Sequence, residues 1–385
     1  MTVKADTSVK WFHSAMADAP VLRGEAGALI ELLDACLING FSTRSPDSVV
    51  VAGGVATVSI GTGNPYDKHA VVKISGASDA ALNAEWKIAT SAASSFTFLC
   101  PGVADGTVTG ATIQRAGAGW GKPFSDTNVA VYQSLDPAST QLYLRVNDAD
   151  ARYTRVRGYE QMTDANTGTG AFPTLTQRGE TLFTWLKSNA ASATARDWVV
   201  VADDAFFWFL PRGNTLQGGA LNLFGDFVSF VAGDKYNTVI AAHAEAAPAY
   251  NASNHPTSQD YESAYPRYVA RGASQSGGSA AVALAVPSPN LNWNGYGLSV
   301  TPALGLFGAE MIGPPVLVRV GVSSSDDYRG FLPGARAAFY PETLPPTKVI
   351  EVDGAILLKC ASATSRVTPS SDRGTAFFDI KGPWR

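Results

Sequence analysis

The stretch Ser48-Val49-Val50-Val51-Ala52-Gly53-Gly54-Val55-Ala56-Thr57-Val58-Ser59-Ile60 decides the fold class of this chain. Two short apolar runs, Val49 to Val51 and Ala56 to Ile60, are split by Gly53-Gly54. β-Branched side chains are stiff in helices and pack well on a pleated surface, whereas glycines supply the backbone freedom of a turn. The same texture continues through Ala70 to Ile74, Glu85 to Thr90 and Phe96 to Leu99, with Thr107 to Arg115 as a closing strand. Breakers stand between these runs at Gly61-Thr62-Gly63-Asn64-Pro65, Gly76 and Pro101-Gly102. Short strands at spacings of about ten residues predict a small sandwich or barrel over 48–116. Val72, Ile74, Trp86 and Ile88 alternate with polar residues, so one face of these strands is expected to be buried.

Upstream, residues 1–47 read as an N-terminal arm and helix. Ala26, Leu29, Ile30, Leu33 and Leu37 recur at helical steps between Gly24 and Asn39, with Glu25 in the first turn and Gly40 as the stop. The arm, with Trp11-Phe12-His13 and Pro20-Val21-Leu22, either docks on a partner or folds back on its own core. Downstream, Ala116 to Lys122 is a Gly-rich linker that opens a second β domain, 117–214. There Leu142, Leu144 and Val146 alternate with polar neighbours. Ala205 to Leu210 reads as a central strand, reached through a turn at Asp203-Asp204. A third β domain, 215–385, carries strands at Phe227 to Ala232, Thr238 to Ala242, Val316 to Val322, Lys348 to Val352, Ala355 to Lys359 and Thr375 to Ile380. Asp353-Gly354 signals a hairpin, and the polar stretch 248–278 reads as a long loop. The fold class expected is therefore mainly β: several small β-sandwich or barrel modules with a short N-terminal helix.

Bulk composition narrows the function. Charged residues make up only 16% of the 385, against a usual share of about 25%, which suggests surface covered by neighbouring subunits. Net charge is −4 with no basic stripe, so nucleic acid is not an expected partner. Cys36, Cys100 and Cys360 are odd in number and far apart, which fits buried thiols rather than a disulfide framework. The opening residues are polar and no apolar run approaches the length of a membrane helix. Folding in a cytosol, without membrane insertion, is expected.

Motifs for chemistry fail one by one. His13, His69, His243 and His255 lack metal-ligand spacing, and no metal or cofactor is expected. Gly272-Ala273-Ser274-Gln275-Ser276 lacks the last glycine of a nucleophile elbow. Gly117 to Lys122 misses the first glycine of a phosphate loop, and Pro123 follows its lysine. Asp148-Ala149-Asp150 lacks the continuation of a calcium loop and reads as a solvated turn. Glu160, Asp203, Asp204, Asp326 and Asp327 are the acids a glycosidase pair would draw on, with carboxylate separation as the test. No catalytic residue is assigned. Trp11, Phe12, Trp120, Trp293, Tyr296 and Trp384 are the candidate interface or binding residues, because loop-borne and terminal aromatics are enriched at contacts. Plugging of small domain cores is the competing role.

Several segments together resemble one family: Val9-Lys10-Trp11-Phe12-His13-Ser14-Ala15-Met16, Ala19-Pro20-Val21-Leu22, Leu33 to Phe41, Gly119 to Phe124, Asp164 to Gly170, Phe331-Leu332-Pro333-Gly334 and the end Phe378 to Arg385. The chain is similar over nearly its whole length to virion structural proteins encoded by tailed bacteriophages and prophages of Gram-negative hosts. Ala77 to Thr90 and Phe96 to Leu99 also look like the small β-barrels of phage tail proteins. The resemblance implies a virion component of the tail, baseplate or tail-fibre apparatus. Such a component would be assembled in the host cytoplasm, with other virion proteins and further copies of itself as partners. It carries over no catalytic residue. The alternatives are a module binding a host-surface receptor or glycan, motivated by the 248–278 loop, and a capsid decoration protein.

Overall fold

The glycine pair at 53–54 turns as its sequence predicts: both residues have positive φ, 58° and 75°, and they join the antiparallel strands Ser48–Ala52 and Val55–Ser59. This hairpin belongs to a computed structural model that describes residues 3–212, 222–244, 266–285, 315–320, 328–338, 347–352, 354–364 and 373–385. The protein is mainly β, built of antiparallel sheets. Helix among the described residues is confined to Ala28–Leu33, a π-helical continuation Asp34–Asn39 and the short turn Ala80–Leu82.

Residues 41–115 form a sandwich with its own core. One sheet orders Phe41–Arg44, Thr112–Arg115, Val71–Ser75 and Glu85–Ala92; the other continues from Glu85–Ala92 through Ser95–Leu99, Val55–Ser59 and Ser48–Ala52 to Gly106–Val108. Glu85–Ala92 serves both sheets by bending at a register shift between Ile88 and Thr90. Val49, Val51, Val58, Ile74, Trp86, Ile88, Phe96, Phe98 and Ile113 fill the interior, matching the alternation in the sequence. Thr107 to Arg115 is not one closing strand. The chain changes sheets at Gly110 (φ 76°), leaving Gly106–Val108 on one layer and Thr112–Arg115 on the other.

Most of the remaining described residues share a second core, with Leu357 and Phe377 in a small cluster beside it. A 13-stranded antiparallel sheet starts at Lys10–His13 and runs through Asp197–Ala202, Phe206–Arg212, Asn222–Asp226, Thr238–Ala241, Arg267–Val269 and Ala280–Ala285. It continues through Pro315–Val320, Tyr328–Ala338, Arg373–Asp379 and Ala355–Thr364 to Val349–Val352, and the thirteenth strand, Val228–Ser229, pairs off this path with Tyr328–Ala338. Open sheets beyond about ten strands curl or split. This one closes over itself, for Trp208 packs 5.3 Å from Phe378 and its indole donates to the Pro333 carbonyl at 2.9 Å. A five-stranded sheet (Trp120–Asp126, Val129–Ser134, Tyr143–Asn147, Tyr153–Tyr159, Thr184–Leu186) covers part of it through Trp120, Trp185 and Phe172 against Phe207 and Phe224.

Several sequence expectations change here. The boundary at 214 falls between Phe206–Arg212 and Asn222–Asp226, which pair in one sheet around one aromatic core, so 117–214 and 215–385 are not separate domains. The back of the expected 248–278 loop is a central strand, Arg267–Val269, hydrogen-bonded on both sides; positions 248–265 lie outside the described residues. The expected strand Phe227 to Ala232 shrinks to Val228–Ser229. The Gly-rich linker is not free. Ala118 and Gly119 donate their N–H groups to the Cys36 and Leu37 carbonyls at 3.0 and 3.1 Å, capping the end of the helix. A Cβ on Gly117 would lie 2.3 Å from the Ile38 carbonyl oxygen, which explains the glycine.

Candidate interaction surface

The arm folds back rather than reaching out. Lys10–His13 pairs with Asp197–Ala202, and Leu22 bridges to Arg196. With it go two of the candidate anchors. Trp11 is buried, its indole N–H donating to the His69 carbonyl at 3.3 Å, and Phe12 is buried 5.7 Å from Phe41. Trp120 is buried edge-on to Phe207 and donates to the Asp203 carbonyl at 2.8 Å. Trp384 is buried over Gly334, where a Cβ would lie 2.3 Å from the ring, and donates to the Asp379 carbonyl at 2.7 Å. These four side chains hold the chain's own parts together: a buried indole needs an acceptor, and each of the three indoles here finds it internally. Trp293 and Tyr296 lie outside the described residues.

Among the candidate acids, Asp203 and Glu160 are held by partners within the chain. Asp203 sits inside the turn before Phe206–Arg212, accepting from the Ala205 and Phe206 N–H groups at 3.0 and 2.7 Å and pairing with Arg385 at 3.0 Å. Burial pushes its carboxyl up to about 6, against the pull of Arg385. Asp204 beside it is half-buried and raised by burial and by Asp136. Glu160 receives both guanidinium branches of Arg271, at 2.8 and 2.6 Å. Asp326 and Asp327 lie outside the described residues. The Gly272 to Ser276 segment is the exposed tip between Arg267–Val269 and Ala280–Ala285, where the Ser274 and Ser276 hydroxyls bond each other at 2.8 Å.

Asp148 is the largest departure from sequence reading. Expected in a solvated turn, it is fully buried and paired with Lys187, which is also fully buried. Its carboxylate accepts from Leu29 N–H at 2.8 Å and from the Thr154 hydroxyl at 2.5 Å, while Lys187 also donates to the Glu25 carbonyl at 2.6 Å. Burial pushes the Asp148 carboxyl up and the Lys187 ammonium down, and the pairing opposes both shifts. A second buried pair, Arg329 with Asp234, is bidentate at 2.8 and 2.8 Å. Asp226 is buried on hydroxyls and an amide alone: Thr238 Oγ1 at 2.6 Å, Thr140 Oγ1 at 2.8 Å and Thr140 N–H at 2.7 Å. Burial also lowers His243 to about 4. Among the described residues no group of three or more His, Cys, Asp or Glu is placed to hold a metal, and Cys36, Cys100 and Cys360 are buried.

The two outer faces of the sandwich differ in kind. The face of the Phe41–Arg44 sheet is charged and docked. Lys87 donates to the Ile380 and Lys381 carbonyls at 2.8 and 2.7 Å, Glu85 pairs with Lys10 at 2.9 Å, and Gln114 donates to the Asn39 carbonyl at 2.7 Å. The opposite face carries no ionisable side chain at the outward positions of its strands; Asp105 stands exposed on its rim, just before Gly106–Val108, and accepts from the Gly53 N–H at 2.9 Å. Register sets Thr107, Val50, Thr57, Thr97 and Thr90 in one line across five strands. A second line runs Ser48, Ser59, Ser95 and Ala92, and a third runs Ala52, Val55 and Leu99. All point away from the interior occupied by Val49, Val51, Val58, Phe96 and Phe98, and Val50 is 42% exposed. Sequence reading missed this face, although its signal was present. The outward positions of 48–59 and 95–99 are Ser, Thr, Val, Ala and Leu where Lys or Glu is usual on a solvated sheet.

Among the described residues no helix is long and apolar enough to cross a membrane. No protein-family model matches the chain, and no curated protein is similar to it at a significant level.

Proposed function

We propose that the protein is a structural subunit of a tailed-phage particle, in the tail, baseplate or tail-fibre apparatus, working by subunit–subunit contact. The observation that supports this reading best is the neutral face of the sandwich, five strands wide and turned away from the body. Covering such a face desolvates no charge and orders only short side chains, so contact there costs little in polar desolvation or rotamer entropy. The docked aromatics and buried ion pairs make the rest of the chain a scaffold that presents it. The sequence resemblance to virion structural proteins supplies the context. On this reading the chain is assembled into virions in the host cytoplasm and acts through area rather than bond chemistry.

Mass spectrometry of purified particles tests it. The protein is expected among the virion components at a fixed copy number, and an antibody fragment against it is expected to decorate one part of the particle in electron micrographs. Particles that lack the chain would end this reading. So would turnover of a polymer or small molecule by the pure protein that is lost on replacing a single acidic or hydroxyl side chain.

A further inference from the structure

We propose that the neutral face of the sandwich docks on the same face of a second copy of this chain, the two related by a two-fold axis. The inference rests on the reading of the protein as an assembly subunit and names one of its partners. The argument starts from what the face can recognise. It has no cation for a phosphate backbone. It is an open pleated surface rather than a concave site with convergent polar groups, so it is poorly built for a glycan or small ligand. A charged protein surface would lose water without gaining a counter-charge.

An identical face has none of these difficulties. No like charges meet at the centre of the contact, because Asp105 of each copy stands at one corner of the face. Hydroxyls both donate and accept, so Thr57, Thr97 and Thr107 of one copy can satisfy those of the other without any change of chemistry. That self-complementarity is what a two-fold contact demands. Val50 and Leu99 add apolar area between the hydroxyl rows. Side chains this short let the sheets approach closely, and the Thr90 and Thr97 hydroxyls, already bonded at 2.7 Å, are held in place.

The size of the face sets the strength. Five strands about 4.8 Å apart and five residues rising about 3.4 Å each give a patch about 24 by 17 Å, or about 400 Å² on each copy. A pair burying about 800 Å² falls in the class of small, concentration-dependent interfaces. Such a contact is weak between free subunits and becomes strong once other contacts in an assembly hold the copies near one another.

Sedimentation velocity of the full chain across a concentration series tests the proposal. The wild-type chain is expected to show a monomer–dimer equilibrium at high concentration. Thr57→Lys, at the centre of the face, is expected to raise the dimer dissociation constant at least tenfold with an unchanged melting temperature. Thr57→Glu is expected to do the same, and an equimolar mixture of the two variants is expected to recover dimer. Should Thr57→Lys fold poorly, the edge-strand pair Thr107→Lys and Thr107→Glu gives the same reading. A wild-type chain that stays monomeric throughout, or a dimer untouched by these substitutions, overturns the proposal. Neither result removes the protein from the particle, so the virion reading stands or falls separately on mass spectrometry. A face-dependent dimer of a protein missing from particles would defeat that reading alone.

Discussion

The sandwich of residues 41–115 and the body around the 13-stranded sheet solve the same packing problem with different chemistry. The sandwich interior is mostly Val, Ile, Phe and Trp; its buried Lys87 and Arg115 lie on the sheet that meets the body, and buried His69 lies in the turn that leads into that sheet. The body instead carries Asp148 with Lys187, Arg329 with Asp234, and the carboxyls of Asp203 and Asp226 deep within it. An apolar core is held by area and tolerates small changes of shape. A core with buried charges depends on each charge keeping its partner, because one left alone has neither water nor counter-ion. The difference teaches that the two halves should fail in different ways.

The largest contrast is expected at Lys187. Lys187→Met leaves the Asp148 carboxylate buried without its cation beneath the helix it caps, so the body should lose about 3–5 kcal/mol. Hydrogen exchange resolves the two halves. Protection should collapse in the strands Tyr143–Asn147 and Tyr153–Tyr159 while Val55–Ser59 and Ser95–Leu99 keep theirs. Equal loss in both halves would mean that they unfold as one unit. Loss below about 1 kcal/mol would show that the pair is not what holds the helix.

A pH series sharpens the same contrast through Asp203, whose carboxyl is held up at about 6 by burial, against 3.8 when unfolded. Between those values the native state holds a proton that the unfolded state releases, so this group's contribution falls as pH rises from 3.8 to 6. At about 1.4 kcal/mol per pK unit the difference approaches 3 kcal/mol. Asp203→Asn keeps an acceptor for the Ala205 and Phe206 N–H groups and cannot ionise. The stability of the variant relative to wild type, measured by urea titration, should therefore climb by about that amount from pH 4 to pH 7. Asp148, Asp226 and His243 titrate in both proteins and cancel in the difference. A flat difference would mean that Asp203 is ionised in the native protein across this range.

What was legible in the sequence follows the same division. The sandwich could be read from 48 to 116 because its inside–outside alternation uses apolar against polar, which is the signal that periodicity detects. The hairpin turns at Gly53-Gly54 and Asp203-Asp204, the helix stop at Gly40 and the fold class were legible for similar local reasons. The body was not. Asp148 reads as a surface acid because its partner Lys187 is 39 residues away, and no local pattern links them. The 214 boundary failed because strand pairing across Asn222–Asp226 is a non-local fact. Trp11, Phe12, Trp120 and Trp384 read as candidate surface anchors, since an aromatic side chain in a loop or near a terminus looks the same in sequence whether it meets a partner or its own chain. The neutral face was overlooked because the absence of charge on alternate residues is conspicuous only once register aligns five strands.

The smallest expected effect lies where the two regions meet. Lys87 is buried against the C-terminal segment, donating to two carbonyls, and burial lowers its ammonium to about 8 despite Asp6 and Asp379. Charge-assisted bonds of about 1.5–3 kcal/mol oppose a desolvation cost of similar size, so Lys87→Met should change stability at neutral pH by only about 1 kcal/mol. Its signature is expected in pH dependence and location instead. With the native value at about 8 and the unfolded one at 10.5, the native state binds fewer protons in between, so wild-type docking should tighten as pH rises across that window. The Met variant should lack that rise and show faster hydrogen exchange at Lys381, with the sandwich interior unchanged. Retention of the alkaline rise in the variant would assign it to another group, and loosening of Phe96 to Phe98 would show that the sandwich depends on the body after all.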